Sequence, residues 1–189
     1  MLAGLYPDDP DVRRTLAGIV RTDLDAEVVA AAATALADVD DADAADRAAD
    51  LIRRATGDDP AVRRTALRVL GDRYASAPST LDTLLWAAGS DEDRLVRRAA
   101  LSLLGRHFAD RDGVRAALTA GVREPDWSVR EAAVRLLGER FGTDPGIRRL
   151  LVDLARNRDD AQLRMVAGQT LSWLPGADPD QMPDLPWSG

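Results

Sequence analysis

The chain has 189 residues, 46% of them hydrophobic but only 4% aromatic, a composition that favours closely packed helices over a sheet sandwich. It has no cysteine, which excludes disulfides and thiolate metal sites, and no lysine, which excludes a Walker A loop and Schiff-base chemistry. The net charge of −7 counts against nonspecific nucleic-acid binding, although a local basic patch can override the sum. All 25 basic residues are arginine, which reflects either genome base composition or a surface for bidentate, planar contacts.

In chain order, the apolar residues predict alternating first and second helices. Each second helix carries apolar residues at i, i+4 and i+7 or i+8, as at Val62, Ala66 and Leu70, which places them on one helix face. Asp59 and Pro60 indicate a helix start, because aspartate caps free backbone N–H groups and proline has none to leave unpaired. The first helices are predicted near 11–21, 44–55, 79–88, 111–121 and 144–156, and the second helices near 25–38, 59–74, 92–107, 126–141 and 159–173.

The second-helix segments form an internal repeat. Their first residues are 34, 34, 33 and 34 positions apart, at Val28, Val62, Val96, Val129 and Leu163. A single helix pair cannot bury its apolar face, so we expect the pairs to stack around one continuous core. Glycine recurs late in three copies and marks either close packing between helices or a helix end: Gly71, Gly105 and Gly138.

The repeat carries the signature D-x-x-V-R-x-x-A-x-x-x-L-G, which is most complete in PDWSVREAAVRLLG. It resembles the HEAT-repeat family in its short, phycobilisome-lyase-like form. The resemblance covers residues 11–173 and implies an all-α fold, a right-handed α-α superhelix (a HEAT-repeat solenoid) of about five helix pairs. In that family the arginine after the valine bonds to an acidic residue or loop carbonyl of the neighbouring layer. This structural, inter-repeat role maps to Arg63, Arg97, Arg130 and Arg164.

The repeat also predicts the domain organisation. We expect a HEAT-repeat solenoid over residues 1–173 and a proline-rich C-terminal tail over 174–189, in which Met182, Leu185 and Trp187 either cap the last layer or stay undocked. The array resembles the C-terminal repeat region of bacterial NACHT/STAND-type proteins, which implies a sensor module. The repeats are expected near 11–38, 44–74, 79–107, 111–141 and 144–173, with a partial repeat at 1–8 in which the chain begins.

No residue pattern is typical of a catalytic, cofactor or metal site, and no apolar run is long enough to span a bilayer. We therefore expect a non-catalytic, cytoplasmic interaction scaffold or sensor module without cofactors, which binds another protein or an acidic peptide segment. Two alternatives stay open: binding of a nucleic-acid backbone through a central arginine-lined groove, and an enzyme similar to phycobilisome lyases. The sequence predicts no particular oligomeric state.

The resemblance implies that the second helices line a concave surface. Arginine and tryptophan, which are enriched at binding hot spots, fall at positions expected to face it. These arginines either bind a partner or are solvated and paired with Asp72, Glu131 and Glu139. The candidate partner-binding residues are Arg64, Arg68, Arg94, Arg98, Arg106, Trp127, Glu131, Arg135 and Trp173.

Overall fold

The computed structural model describes residues 14–16, 18–20, 28–29, 31–32, 44–77 and 79–175. All regular secondary structure in these ranges is helical, which confirms the predicted all-α class. The predicted repeat near 11–38 lies mostly outside the described residues, as do the partial repeat at 1–8 and the tail from residue 176 onward. The right-handed superhelical path, the count of five pairs and the division into solenoid and tail stay predictions.

The chain forms two compact units, of which the first ends at His107. Its helices are α1 (Ala44–Ala55), α2 (Pro60–Arg73), α3 (Thr80–Ser90) and α4 (Arg94–His107). Short connections make α1 and α2 one antiparallel pair and α3 and α4 another, and each pair packs together. The two second helices, α2 and α4, also pack against each other. These bounds agree with the predicted helices to within two residues.

The second unit begins at Phe108 and repeats this arrangement. Its helices are α5 (Val114–Gly121), α6 (Trp127–Phe141), α7 (Pro145–Ala155) and α8 (Ala161–Ser172). Helices α5 and α6 form one pair, α7 and α8 form the next, and α6 packs against α8. The predicted helix start at residue 111 is wrong, because Gly113 has a φ of 84° and this left-handed backbone cannot belong to an α-helix.

The repeat positions form the apolar core of each unit. Leu70 and Leu104 are fully buried in the first unit and Leu137 is fully buried in the second. Full burial of one such side chain stabilises the fold by about 1.5–3 kcal/mol. The alanines four residues before these leucines are also buried, and their small side chains let the helices approach closely.

Two of the recurrent glycines mark close packing between second helices rather than helix ends. A Cβ atom added at Gly71 in α2 would lie 2.9 Å from Leu103 Cδ2 in α4. A Cβ atom added at Gly138 in α6 would lie 2.1 Å from Thr170 Cγ2 in α8. Both helices continue past their glycine, so the missing side chain serves the helix contact.

Candidate interaction surfaces

Aspartate side chains fix where each second helix begins. In all four described second helices, the Oδ1 atom of the cap accepts hydrogen bonds of 2.7–3.3 Å from backbone N–H groups two or three residues later. The cap predicted at Asp59 is therefore confirmed, and Asp93, Asp126 and Asp160 cap the other three second helices. Each cap lies four residues before the repeat arginine, so it places that arginine in the first turn of the helix.

Arg63 forms a buried, bidentate ion pair with Asp91. The Nε and Nη2 atoms of Arg63 lie 2.8 Å from the two carboxylate oxygens, and the side chains are only 5% and 1% exposed. The hydrogen bond with Asp91 raises the pKa of Arg63 above its ordinary value, although burial opposes this shift. Arg63 Nη1 also donates to the carbonyls of Gly57 and Asp58, in the loop before its own helix. Since Asp91 lies in the loop between α3 and α4, Arg63 links two successive helix pairs.

The equivalent arginines also bind loop carbonyls. The Nη1 atoms of Arg97, Arg130 and Arg164 donate to carbonyl oxygens at 2.7–3.0 Å. These carbonyls belong to the loop before each arginine's own helix, not to the neighbouring layer as the resemblance implied, because helical side chains point back toward the N-terminus. The acidic partner does lie in the next pair for Arg130, whose Nη2 is 3.2 Å from Asp160 Oδ2. These contacts support the structural interpretation of the four arginines, which stays a proposal.

Five of the candidate residues lie together on the first unit, and we call them the arginine face. The side chain of Asp72, at the end of α2, joins the ends of the two second helices. Its Oδ1 atom lies 2.9 Å from His107 Nε2 and 3.7 Å from Arg106 Nη1. The helices therefore run side by side, and residues spaced by four in each form two neighbouring rows. The exposed residues of these rows are Arg64, Arg68, Arg94, Arg98 and Arg106.

Positive charge is concentrated on these two helices. Helices α2 and α4 contain eight arginines and one carboxylate, Asp72, a formal charge of +7 in a chain whose total is −7. Within the described part of the chain, Arg64, Arg68 and Arg98 form no ion pair. The interpretation that carboxylates neutralise the arginines therefore does not apply to these three.

That interpretation does apply to Arg135 in the second unit. Its Nε and Nη2 atoms lie 3.2 and 3.1 Å from Glu131 Oε1, and its guanidinium lies 5.9 Å from the centre of the Trp173 ring. Trp127 is half-buried, with the guanidinium of Arg130 5.9 Å from its ring centre. The structure thus brings Glu131, Arg135 and Trp173 into one cluster on the second unit.

A pocket of about 300 Å³ in the second unit was not predicted from the sequence. It lies where α6 and α8 end, and its lining includes Arg140, Gly142, Thr170, Trp173 and Pro175. Thr170 is 4% exposed, and its Oγ1 atom has no hydrogen-bond partner among the described residues. Only Trp173 and Arg135 of this lining were candidate residues, because nothing in the local sequence shows that the end of α6 meets the residues after α8.

The cap of α7 gives a prediction for acid stability. Asp144 Oδ1 accepts the backbone N–H groups of Gly146 and Ile147 at 2.7 and 3.1 Å, and Oδ2 lies 2.9 Å from Arg115 Nη1. The bond from Ile147, then that from Gly146 and the nearby Arg115, hold the pKa of Asp144 below its ordinary value of 3.8. Its charge therefore stabilises the fold above pH 3.8, and this contribution is lost as the pH falls through the lower, folded pKa.

We expect Asp144→Asn to be less stable than the wild type at neutral pH, and the difference to shrink on acidification below pH 3.8. Urea unfolding of both proteins across this range measures the difference directly. The other carboxylates are the same in both proteins, so their contributions to the free energy of unfolding cancel in the comparison. A difference that stays constant or grows on acidification contradicts the prediction.

The repeated antiparallel pairs, with a capped second helix and an arginine in its first turn, define a helical-repeat protein. Residues 48–121 match the family model for HEAT repeats, which supports the resemblance to the HEAT-repeat family. No curated protein matches the chain. HEAT repeats generally mediate protein interactions and typically act as non-enzymatic scaffolds. The phycobilisome-lyase-like form, the NACHT/STAND resemblance, a bacterial source and a cytoplasmic location stay predictions.

The described residues were compared with the requirements of a metal site and of a membrane-spanning helix. In the ranges that the structure covers, no group of three or more histidine, aspartate or glutamate side chains could hold a metal ion. None of the helices in those ranges combines the length and the apolar character needed to cross a membrane.

Proposed function

We propose that the protein is a non-catalytic interaction module that binds an acidic segment of a partner protein on the arginine face. The observation that carries this proposal is the set of exposed arginines on α2 and α4, of which Arg64, Arg68 and Arg98 form no ion pair within the described residues. Exposed arginines without carboxylate partners leave charge-assisted hydrogen bonds available to a ligand. A solvated face of a stable helix needs no such excess of one sign.

The spacing of the rows suits a peptide with several carboxylates. Arg64 and Arg68 are one turn apart, about 6 Å along α2. Packed helices have axes about 8–10 Å apart, so Arg98 on α4 lies in the neighbouring row at a comparable distance. Each guanidinium can hold one carboxylate through two parallel N–H donors. Asp72, at the C-terminal end of the rows, limits how far an acidic segment extends.

The charge outside the arginine face favours a protein over nucleic acid. Apart from α2 and α4, the chain carries a formal charge of −14, which repels a long polyanion as it approaches. Single strands are typically held by aromatic stacking as well, whereas α2 and α4 contain no phenylalanine, tyrosine or tryptophan. A short acidic segment carries fewer charges than a long polyanion and is therefore repelled less by the acidic remainder of the chain.

Replacing Arg64, Arg68 and Arg98 together with alanine should weaken binding of an acidic peptide by roughly tenfold or more, because three exposed ion pairs of about 0.5 kcal/mol each amount to one factor of ten. Fluorescence anisotropy with a labelled polyglutamate peptide measures the affinity, and thermal unfolding should show an unchanged melting temperature. The matched control replaces Arg123, Arg149 and Arg158 with alanine. These arginines are also exposed, and their replacement removes the same amount of charge.

Two results would overturn the proposal. In the first, both triple variants lose peptide affinity equally, which means that net charge alone governs binding. In the second, duplex DNA binds more tightly than the peptide, loses affinity steeply with salt and no longer binds when the three face arginines are replaced. That second result assigns the arginine face to nucleic acid.

A further inference from the structure

The pocket at the ends of α6 and α8 lies in the second unit, whereas the arginine face lies in the first. We propose that this pocket, together with the exposed side chain of Trp173 that lines it, binds the segment of this chain that follows it, residues 176–189. The inference does not depend on the proposed function of the arginine face. Three features of the second unit carry it: the place where the chain leaves α8, the exposed apolar side chains, and the charge at the pocket.

The chain leaves α8 at the mouth of the pocket. Leu174 packs on Gly142 so closely that a Cβ atom at Gly142 would lie 2.4 Å from Leu174 Cδ2. Arg148 Nε donates to the carbonyl of Gly142 at 2.8 Å, and Arg148 Nη2 donates to the carbonyl of Pro175. Leu174 and Pro175 both line the pocket. These contacts hold Leu174 and Pro175, after which residues 176–189 continue, beside the pocket.

Two exposed apolar side chains lie on α8 and at its C-cap, and the second of them, Trp173, lines the pocket. Met165 and Trp173 lie eight residues apart, hence on the same side of the helix, and they are 39% and 69% exposed. A tryptophan with this exposure leaves a large apolar area in water, and covering it is favourable at about 25 cal/mol per Å².

The composition of the segment complements this surface. Residues 176–189 contain three aspartates and no basic residue, whereas the pocket lining contains Arg135, Arg140 and one carboxylate, Glu139. Since Arg135 already pairs with Glu131, Arg140 is the cation that an aspartate of the segment would meet. Arg140 is exposed and forms no ion pair within the described ranges. The segment also supplies Met182, Leu185 and Trp187 as apolar anchors, and its prolines reduce the entropy lost on binding. A short tether gives an effective concentration on the order of millimolar, so even weak contacts suffice.

The absence of cysteine allows a specific test in the full chain. A nitroxide spin label attached to Ser188→Cys broadens the NMR signals of amides close to it. We expect the strongest broadening at Gly138, Gly142 and Thr143, which line the pocket. Trp187→Ala in the labelled chain should remove this selective broadening, whereas the matched Trp187→Phe should retain it. Trp173→Ala should also remove it, and its melting temperature checks that the unit stays folded.

Three patterns of broadening distinguish docking of the segment in the pocket from its alternatives. Selective broadening at the pocket that Trp187→Ala removes supports the proposal. Broadening that is weak, spread evenly over the surface or unaffected by Trp187→Ala overturns it, because tethering alone then explains the signal. Selective broadening on the arginine face also overturns it and shows that the aspartates of the segment bind the first unit instead.

Discussion

Replacing Asp91 with alanine should lower the free energy of unfolding by about 3–5 kcal/mol, the usual cost of breaking a buried ion pair from one side. The guanidinium of Arg63 would stay buried at 5% exposure without a counter-charge. Its bonds to the carbonyls of Gly57 and Asp58 cannot replace the lost carboxylate. The variant also removes the Asp91 Oδ1 atom that accepts the backbone N–H of Asp93 at 2.9 Å, where α4 begins. Chemical denaturation followed by circular dichroism measures the change.

An exposed ion pair in the same unit is the control. Arg53 pairs with Asp50 at 2.5 Å, but its side chain is 71% exposed. Arg53→Ala should therefore change the free energy of unfolding by no more than about 1 kcal/mol. If Asp91→Ala is as mild as Arg53→Ala, water or a rearranged Arg63 compensates for the carboxylate, and the link between the two helix pairs is weaker than its geometry implies.

Local signals made the second helices predictable. At Asp59 and Pro60 the cap and the first helical residue are neighbours in sequence, so the helix start needs no knowledge of the tertiary fold. The start of α5 has no side-chain cap, and the backbone of Gly113 decides it instead. A glycine in sequence does not reveal the sign of its φ angle. For this reason the predicted start at residue 111 is three residues too early.

The side-chain partners were only partly predictable. Glu131 and Arg135 are four residues apart on one helix, and this spacing is one at which opposite charges pair. Arg63 and Asp91 are 28 residues apart in sequence. Their contact depends on the register in which one helix pair packs against the next. The pocket depends on the packing of Leu174 on Gly142, for which no local pattern exists. The sequence therefore predicts the rows of arginine better than it predicts which of them are neutralised.

Replacing Gly138 with alanine should destabilise the second unit, at the upper end of the roughly 1–3 kcal/mol typical of overpacking. The added Cβ atom would lie 2.1 Å from Thr170 Cγ2, well inside contact distance. Threonine has only two common χ1 rotamers in a helix, so we expect most of the contact to be relieved by α6 and α8 moving apart. The gain in helix propensity of about 1 kcal/mol offsets only part of this cost. Thermal and urea unfolding of the full chain measure the net change.

Gly89 in α3 is the matched control, because a Cβ atom there would meet nothing within 4 Å. Gly89→Ala should leave stability unchanged or raise it by up to about 1 kcal/mol. If both substitutions prove stabilising, helix propensity alone governs these positions. The packing of α6 on α8 then has room for a Cβ atom at position 138.

A second substitution tests the cause of the Gly138→Ala effect. Thr170→Ala removes both Cγ2 and the Oγ1 atom that has no partner in the described part of the chain. The nearest remaining side-chain atoms to the new Cβ would then be Thr170 Cβ at 3.6 Å and Leu151 Cδ1 at 3.9 Å, which are ordinary contact distances. The double variant should therefore be more stable than Gly138→Ala alone, a favourable coupling typical of residues in direct contact. If the two losses simply add, the steric contact between these helices is not what glycine at position 138 accommodates.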